Sequence, residues 1–238
     1  MISVLIPAYN SAKYLEKCLD SITLQTAKTE FEVLVGVDGC IETLYEAARL
    51  MDKYEWLDVF YCEENMGRYI MTNTLIEEKL GNKVIFFDSD DIMMPTLFQE
   101  VLDCKEDMML WKYYSLRNGV VEPVKHNDYA HGVLYMNDKA IKTLGGYQPW
   151  RCSADTELLT RSKYSNLTRR LNDKGLMVYR IHKDSLTSTI PMSQRLDYHK
   201  LIKKNYGKHE IRIKRITNTG RFILDKSDGN AITKSSSM

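Results

Sequence analysis

Through the first ninety residues, short apolar, β-favouring runs alternate with segments whose apolar positions recur at helical spacing. The runs are residues 2–6, 31–37, 56–61 and 84–87. Between the first two, Tyr14, Leu15, Cys18, Leu19 and Ile22 share one helical face, and Ser11 stands where an N-cap belongs. A second helix is predicted over about 41–54 and a third over about 69–80, the third closed by Gly81-Asn82. This alternation predicts βαβ units, hence an α/β fold with a mixed, mostly parallel central sheet flanked by helices.

After Asp91 the pattern changes. Residues 108–117 read as a long strand and 132–136 as another, with Asn137 opening a short helix that ends at Gly145-Gly146. A longer helix is predicted from Ser153 to about Leu171, a last strand over 177–181, and a helix over 196–206. Residues 211–224 alternate as a hairpin around Thr217-Asn218-Thr219-Gly220, and the final dozen residues read as frayed. The boundaries that follow are a main domain over 1–194 and a basic appendage over 195–238.

Composition adds few surprises. With 238 residues, 44% hydrophobic and 27% charged, the chain can bury one substantial core and carries no disorder signature over most of its length. No basic leader precedes the first strand, and no apolar stretch reaches the roughly 18–20 residues of a membrane span. Cys18, Cys40, Cys62, Cys104 and Cys152 are odd in number and lack redox-pair or zinc-ligand spacing, which predicts a reducing, cytoplasmic setting. Charge changes the picture more. Residues 195–238 hold 11 Lys and Arg against 4 Asp and Glu, whereas residues 1–194 hold 22 against 28. A basic tail on an acidic body fits either a polyanionic partner, such as nucleic acid or anionic lipid, or a solvated helix and hairpin.

Candidate chemistry collects at strand ends, where open α/β sheets bind ligands. Three such ends are Pro7-Ala8-Tyr9-Asn10, Asp38-Gly39-Cys40 and Asp88-Ser89-Asp90-Asp91. A tyrosine supplies a stacking face, and a single acid suits hydrogen bonding to a base or ribose. Three carboxylates after one strand repel one another unless a cation neutralises them, and hard oxygen ligands suit Mg²⁺ or Mn²⁺. Acids capping a helix ahead of Pro95 are the bland alternative, for which one acid would suffice.

Taken together these segments resemble the family 2 glycosyltransferases of the GT-A fold. Ser3-Val4-Leu5-Ile6-Pro7-Ala8-Tyr9-Asn10 with Leu15, Cys18-Leu19, Ser21-Ile22 and Gln25-Thr26 resembles that family's first strand and helix. Residues 32–40 resemble its second strand, which usually ends Asp-Asp-Gly-Ser; Val37 and Cys40 depart from that pattern. Asn65-Met66-Gly67-Arg68 with Asn73, and Phe87-Asp88-Ser89-Asp90-Asp91 with Pro95, resemble its Asn-x-Gly and Asp-x-Asp segments. Gly145-Gly146-Tyr147 and Ser153-Ala154-Asp155 resemble its Gly-Gly-Phe and Glu-Asp, with Ala154 in place of the Glu. Arg180-Ile181-His182 leading to Ser185-Leu186-Thr187 resembles its closing segment.

The resemblance covers residues 2 to about 187 and implies an inverting transferase that moves one sugar from a nucleotide sugar, commonly UDP-linked, to an acceptor hydroxyl. It sets Pro7, Ala8, Tyr9, Asn10, Asp38, Gly67, Arg68, Asp88 and Ser89 against the nucleotide and its phosphates. It sets Asp90, Asp88 and His182 around Mn²⁺ or Mg²⁺. Asp155 becomes the base that takes the acceptor's proton, with Glu157 as the fallback. A hydroxylated-base nucleic acid or a lipid-linked glycan would serve as acceptor, with the tail holding the polyanion. Two rivals stand beside this reading. A sugar-phosphate nucleotidyltransferase would carry a Gly-rich loop where this chain has residues 7–11. A glycosyltransferase-like binding module without catalysis is the other, and Val37 and Ala154 keep it open.

Overall fold

The computed structural model describes residues 1–123, 129 and 132–206. The elements run β1 (Ile2–Ala8), α1 (Ala12–Thr23), β2 (Phe31–Asp38), α2 (Ile41–Met51), β3 (Leu57–Cys62), α3 (Arg68–Glu78), β4 (Lys83–Phe86) and β5 (Ile92–Met93). They continue with α4 (Leu97–Asp103), β6 (Met108–Arg117), β7 (Val120–Pro123), β8 (Leu134–Asn137), α5 (Asp138–Leu144) and α6 (Ala154–Lys163). β9 (Arg169–Arg180), α7 (Leu186–Thr189) and α8 (Met192–Tyr206) complete the described chain.

The strands form one mixed sheet in the order β3-β2-β1-β4-β8-β6-β9-β5, with β7 paired to β6. β1, β2, β3 and β4 are mutually parallel; β8 enters antiparallel to both β4 and β6, and β9 runs parallel to β6. β1 and β2 are buried along nearly their whole length because helices cover both faces of the sheet. Alternate side chains therefore feed two cores. Val4, Ile6, Val33, Val35 and Ile85 meet Leu15, Cys18, Leu19 and Ile22 of α1. Leu5, Leu34, Val84 and Phe86 meet Leu75 of α3, Leu144 of α5 and Leu158 of α6 on the opposite face.

Ser11 precedes α1 as expected but does not cap it through its side chain. Its hydroxyl is buried without a partner, while its amide donates to Thr43 Oγ1 at 3.0 Å. Asn137 does cap α5, accepting from Ala140 N at 2.9 Å, and Gly145 closes that helix in the left-handed conformation.

The predicted helix from Ser153 to Leu171 is corrected: α6 stops at Lys163 and the chain returns as the twelve-residue strand β9. Pairing with the edge of β6 overrides the helix expected there. Asp107 and Met108 both donate their amides to Thr168 O, while the Asp107 carboxylate accepts from Thr168 N and Oγ1 at 2.9 and 3.0 Å. This clasp sets Arg169 opposite Met108 and starts the β6–β9 ladder. β5, β7, α4 and α7 were not foreseen. α8 begins at Met192 and runs through the boundary expected at 194/195, and the hairpin expected over 211–224 lies outside the described residues.

The Asp107 clasp has a pH signature. Burial alone would raise its carboxyl, but the Thr168 amide, Lys139 Nζ at 2.9 Å, Asn137 Nδ2 at 3.1 Å and the Thr168 hydroxyl outweigh burial and hold it well below the ordinary 3.8. A folded-state value below the unfolded one stabilises the protein above about pH 4 and is lost as pH falls further. Asp107→Asn should lower the melting temperature at pH 7 and flatten its decline between about pH 5 and pH 2. Unfolding followed by circular dichroism across that range checks this.

Candidate active site

The chemistry-bearing segments meet at the carboxyl ends of β1, β2 and β4. At the end of β1, Ala8 is buried while the Tyr9 ring stands 57% exposed, and Asn10 turns the chain with φ 51°. At the end of β2, Gly39 adopts φ 69°, and a Cβ there would lie 2.4 Å from Asn65 N. The backbone of residues 64–65 can thus lie directly on the β2 end.

Asp38 is 1% exposed, and its carboxylate accepts Met66 N at 2.7 Å and Gly67 N at 2.8 Å. The sequence reading aims Asp38 at a base or ribose. In the structure its two oxygens are taken up in shaping the loop that ends at Gly67, because the bared amides ahead of α3 attract the nearest buried carboxylate. Arg151 straps the same loop from the second half of the chain, donating to Asn65 Oδ1 at 2.7 Å and Asn65 O at 3.3 Å.

Arg68, the first residue of α3, reaches across to Asp88 and donates to both carboxylate oxygens, at 2.5 and 3.2 Å. Its Nη2 also reaches Gly132 O at 3.4 Å, and its buried Nε has no protein partner. Asp88, Asp90 and Asp91 each bring one carboxylate oxygen into a group spanning at most 4.8 Å, and neighbouring Ser89 is buried. His182 Nε2 lies 2.8 Å from Asp90 Oδ2, and its ring packs on Tyr14 at 4.8 Å between centroids.

Crowding leaves its mark on these acids. Burial, opposed by Arg68 and reinforced by Asp90, raises the Asp88 carboxyl to about 6. Burial with Asp90 and Asp88 nearby pushes Asp91 well above the usual range, although Arg180 N donates to its Oδ1 at 2.8 Å. Asp91 Oδ2 is buried with no partner. An orphaned oxygen beside two further carboxylates is chemically matched to a hard divalent cation, so the residues present fit Mn²⁺ or Mg²⁺.

The second half of the chain docks on α3 through Asn73. Its side chain donates to Tyr147 O and accepts Tyr147 N, both at 2.8 Å. This clamp carries the chain over α3 and sets the start of α6 beside Arg68. There Asp155 Oδ1 accepts Tyr69 Oη at 3.1 Å and Thr156 N at 2.8 Å. Asp155 Oδ2 lies 3.6 Å from where a Cβ on Gly132 would sit, and Arg68 Nη2 lies 3.3 Å from that same point. Asp155, Arg68 and the acidic group thus share one locality, and Asp155 adds to the negative field felt by Asp88. Ala154, where the family usually has Glu, is fully buried.

Glu157 does not share that locality. It is 2% exposed and pairs with Arg161, whose Nε and Nη2 donate to it at 3.0 and 2.7 Å, while Nη2 also reaches Gly146 O at 2.8 Å and Nη1 donates to Leu144 O. That ion pair pins α6 to the end of α5, so the fallback role for Glu157 is withdrawn.

Arg180, Tyr69 and Gly132 were missed as site residues. Arg180 Nε donates to Asp90 O at 2.8 Å, and its guanidinium covers Tyr14 at 5.0 Å. The spacing of two between Arg180 and His182 in an extended segment could have placed both on one side. Nothing in the sequence distinguishes Tyr69 from any other helical tyrosine.

Comparison with known proteins agrees with the geometry. Residues 3–107 match the model of Glycosyl transferase family 2. The glycosyltransferase GlyA of Streptococcus pneumoniae is 34% identical over 118 residues, covering 48% of this chain and 17% of GlyA. TarS of Staphylococcus aureus, a poly(ribitol-phosphate) beta-N-acetylglucosaminyltransferase, is 29% identical over 199 residues, 73% of this chain and 34% of TarS. The structure of TarS 1–349 in complex with UDP-GlcNAc superposes with a TM-score of 0.72 at 21% identity, over 85% of this chain and 65% of that one. Mannosyltransferase PcManGT of Pyrobaculum calidifontis, solved with GDP-Man and Mn²⁺, gives a TM-score of 0.64 at 16% identity, over 78% of this chain and 58% of that one. This chain spans about a third or less of the full length of GlyA and TarS. The family 2 match over residues 3–107 and the superposition over most of the described residues lead to one assignment: the chain has the GT-A fold, and its first half carries the pattern of the family 2 glycosyltransferases.

Proposed function

We propose that this chain transfers one sugar, with inversion, from a UDP-sugar to an acceptor hydroxyl. The observation that carries the proposal is the meeting of Asp155 with the Asp88–Asp90–Asp91 group across Arg68. In this reading Tyr9 offers its exposed ring to the base, and the loop that Asp38 shapes through Met66 N and Gly67 N sets the start of α3, with Arg68, towards the diphosphate. Arg68 exchanges its pairing with Asp88 for the diphosphate oxygens. Asp88, Asp90 and Asp91, with His182 beside Asp90, would hold the cation. Bound there, Mn²⁺ or Mg²⁺ stabilises negative charge on the departing diphosphate.

Asp155 takes the acceptor's proton as the acceptor oxygen bonds to the anomeric carbon. The bond from that carbon to the diphosphate oxygen breaks at the same centre, and its electron pair leaves with the nucleoside diphosphate. Because TarS acts on poly(ribitol-phosphate), a carbohydrate or polyol hydroxyl is favoured over a nucleic acid as acceptor class. No helix among the described residues is long and apolar enough to cross a membrane.

The test is product identity. Purified protein with Mn²⁺ and a panel of nucleotide sugars should release UDP from a UDP-sugar, and EDTA should abolish the release until Mn²⁺ is restored. Pyrophosphate as product would replace this reading with a nucleotidyltransferase. A protein that binds UDP–Mn²⁺ by calorimetry yet turns over no donor would replace it with a binding module.

A further inference from the structure

The side of Asp155 that faces Gly132 is set by donors on the other side, and one of them is a tyrosine with no assigned role. Tyr69 is 3% exposed, with its ring 5.3 Å from that of Tyr147 and under the Arg68 guanidinium at 5.2 Å. Its hydroxyl donates to Asp155 Oδ1, the oxygen that also accepts Thr156 N. Both contacts fall on Oδ1, while Oδ2 faces the point where Gly132 lacks a side chain. A carboxylate at the start of a helix can swing about χ1 and χ2, and a single amide contact does not fix the plane of its two oxygens. A second donor on the same oxygen, carried by α3 and packed against the Tyr147 ring, does fix it.

We infer that Tyr69 is a positioning residue that orients Asp155, holding Oδ1 so that Oδ2 is the oxygen presented to the acceptor hydroxyl. This rests on the reading of Asp155 as the base. The step it serves moves the acceptor's proton to Oδ2 while the acceptor oxygen takes the anomeric carbon and the diphosphate departs with the bonding pair. Tyr69 neither gives up nor gains a proton. Its hydrogen bond holds the geometry on which proton transfer depends steeply.

The experiment compares wild type, Tyr69→Phe, Asp155→Asn and the double variant, with UDP release from a UDP-sugar panel as the rate, water or added sugar as acceptor, and Mn²⁺ present. Phenylalanine keeps the ring packing and removes only the hydroxyl. The expected result is a fall in kcat of about 10- to 100-fold for Tyr69→Phe, the loss of one hydrogen bond to a charged group. Donor KM, UDP–Mn²⁺ affinity and melting temperature should stay close to wild type. The double variant should be no slower than Asp155→Asn, because a residue that acts through the base has nothing left to orient. A structural role would instead lower melting temperature and UDP affinity and multiply the two losses, and either pattern overturns the inference. A Tyr69→Phe protein with wild-type kcat, alongside an inactive Asp155→Asn, also overturns it and leaves the base reading standing. Full activity of Asp155→Asn, or a wild type inert on every donor, overturns the reading beneath it.

Discussion

Asp155→Asn should lower kcat for sugar transfer by about 10²- to 10⁴-fold while the protein folds and binds UDP–Mn²⁺ as wild type does. The physical case is specific to this position. Asn keeps the oxygen that accepts Tyr69 Oη and Thr156 N, so the local hydrogen bonds and the start of α6 survive. What disappears is the capacity of the second oxygen to accept a proton. A factor of 10³ corresponds to about 4 kcal/mol of activation free energy, within reach of a lost general base and beyond a lost surface contact. Steady-state UDP release, paired with calorimetry of UDP binding and a melting curve, separates the two. Loss of UDP affinity in parallel with kcat would show Asp155 to be part of the donor site and would remove it as base.

The second large effect is on folding, at a residue the chemistry does not use. Arg161→Met should destabilise the protein by about 3–5 kcal/mol, because it strips the guanidinium from a buried carboxylate. Glu157 and Arg161 expose 2% and 5% of their side chains, and the same guanidinium satisfies the carbonyls of Leu144 and Gly146 where α5 ends. For a chain of this size that loss corresponds to a melting temperature lower by about 6–20 °C. Glu157→Gln should also lower the melting temperature while leaving kcat within a few-fold of wild type. Were Glu157 the base, the kcat of that variant would collapse with little change in melting temperature. Differential scanning calorimetry and UDP release on the two variants decide between these patterns.

Much of the architecture could be read along the chain because the responsible forces are local and periodic. Runs such as residues 2–6 and 31–37, where Ser3 and Glu32 are the polar exceptions, are this continuously apolar when both faces are covered, which is the condition of a central parallel strand. The Leu15–Cys18–Leu19–Ile22 stripe reports a helix with one buried side, and Asn137 with Gly145 brackets another through their own backbone chemistry. The carboxylates after β4 likewise stand out because adjacent like charges need a reason.

Where the sequence misled, a long-range partner outweighed a local preference. The second half of the helix expected over 153–171 became the start of a strand because β6 offered an edge to pair with and Asp107 clasped Thr168 from sixty-one residues away. Glu157, two residues from Asp155 and chemically identical to a base, was consigned to an ion pair by the helix turn that points it at Arg161.

The sequence by itself determined the alternating elements, the strand-end acids and the family pattern, since each depends on residue type and spacing within a few positions. Only the tertiary structure decided which carboxylate is sequestered and which is presented. It drew Asp38 onto the amides of Met66 and Gly67, set Arg68 on Asp88, and brought Tyr69 to Asp155 across 86 residues of chain. The reason is that hydrogen-bond partners are assigned by proximity in space, and that proximity exists only once the Asn73 clamp and the sheet have folded the two halves together.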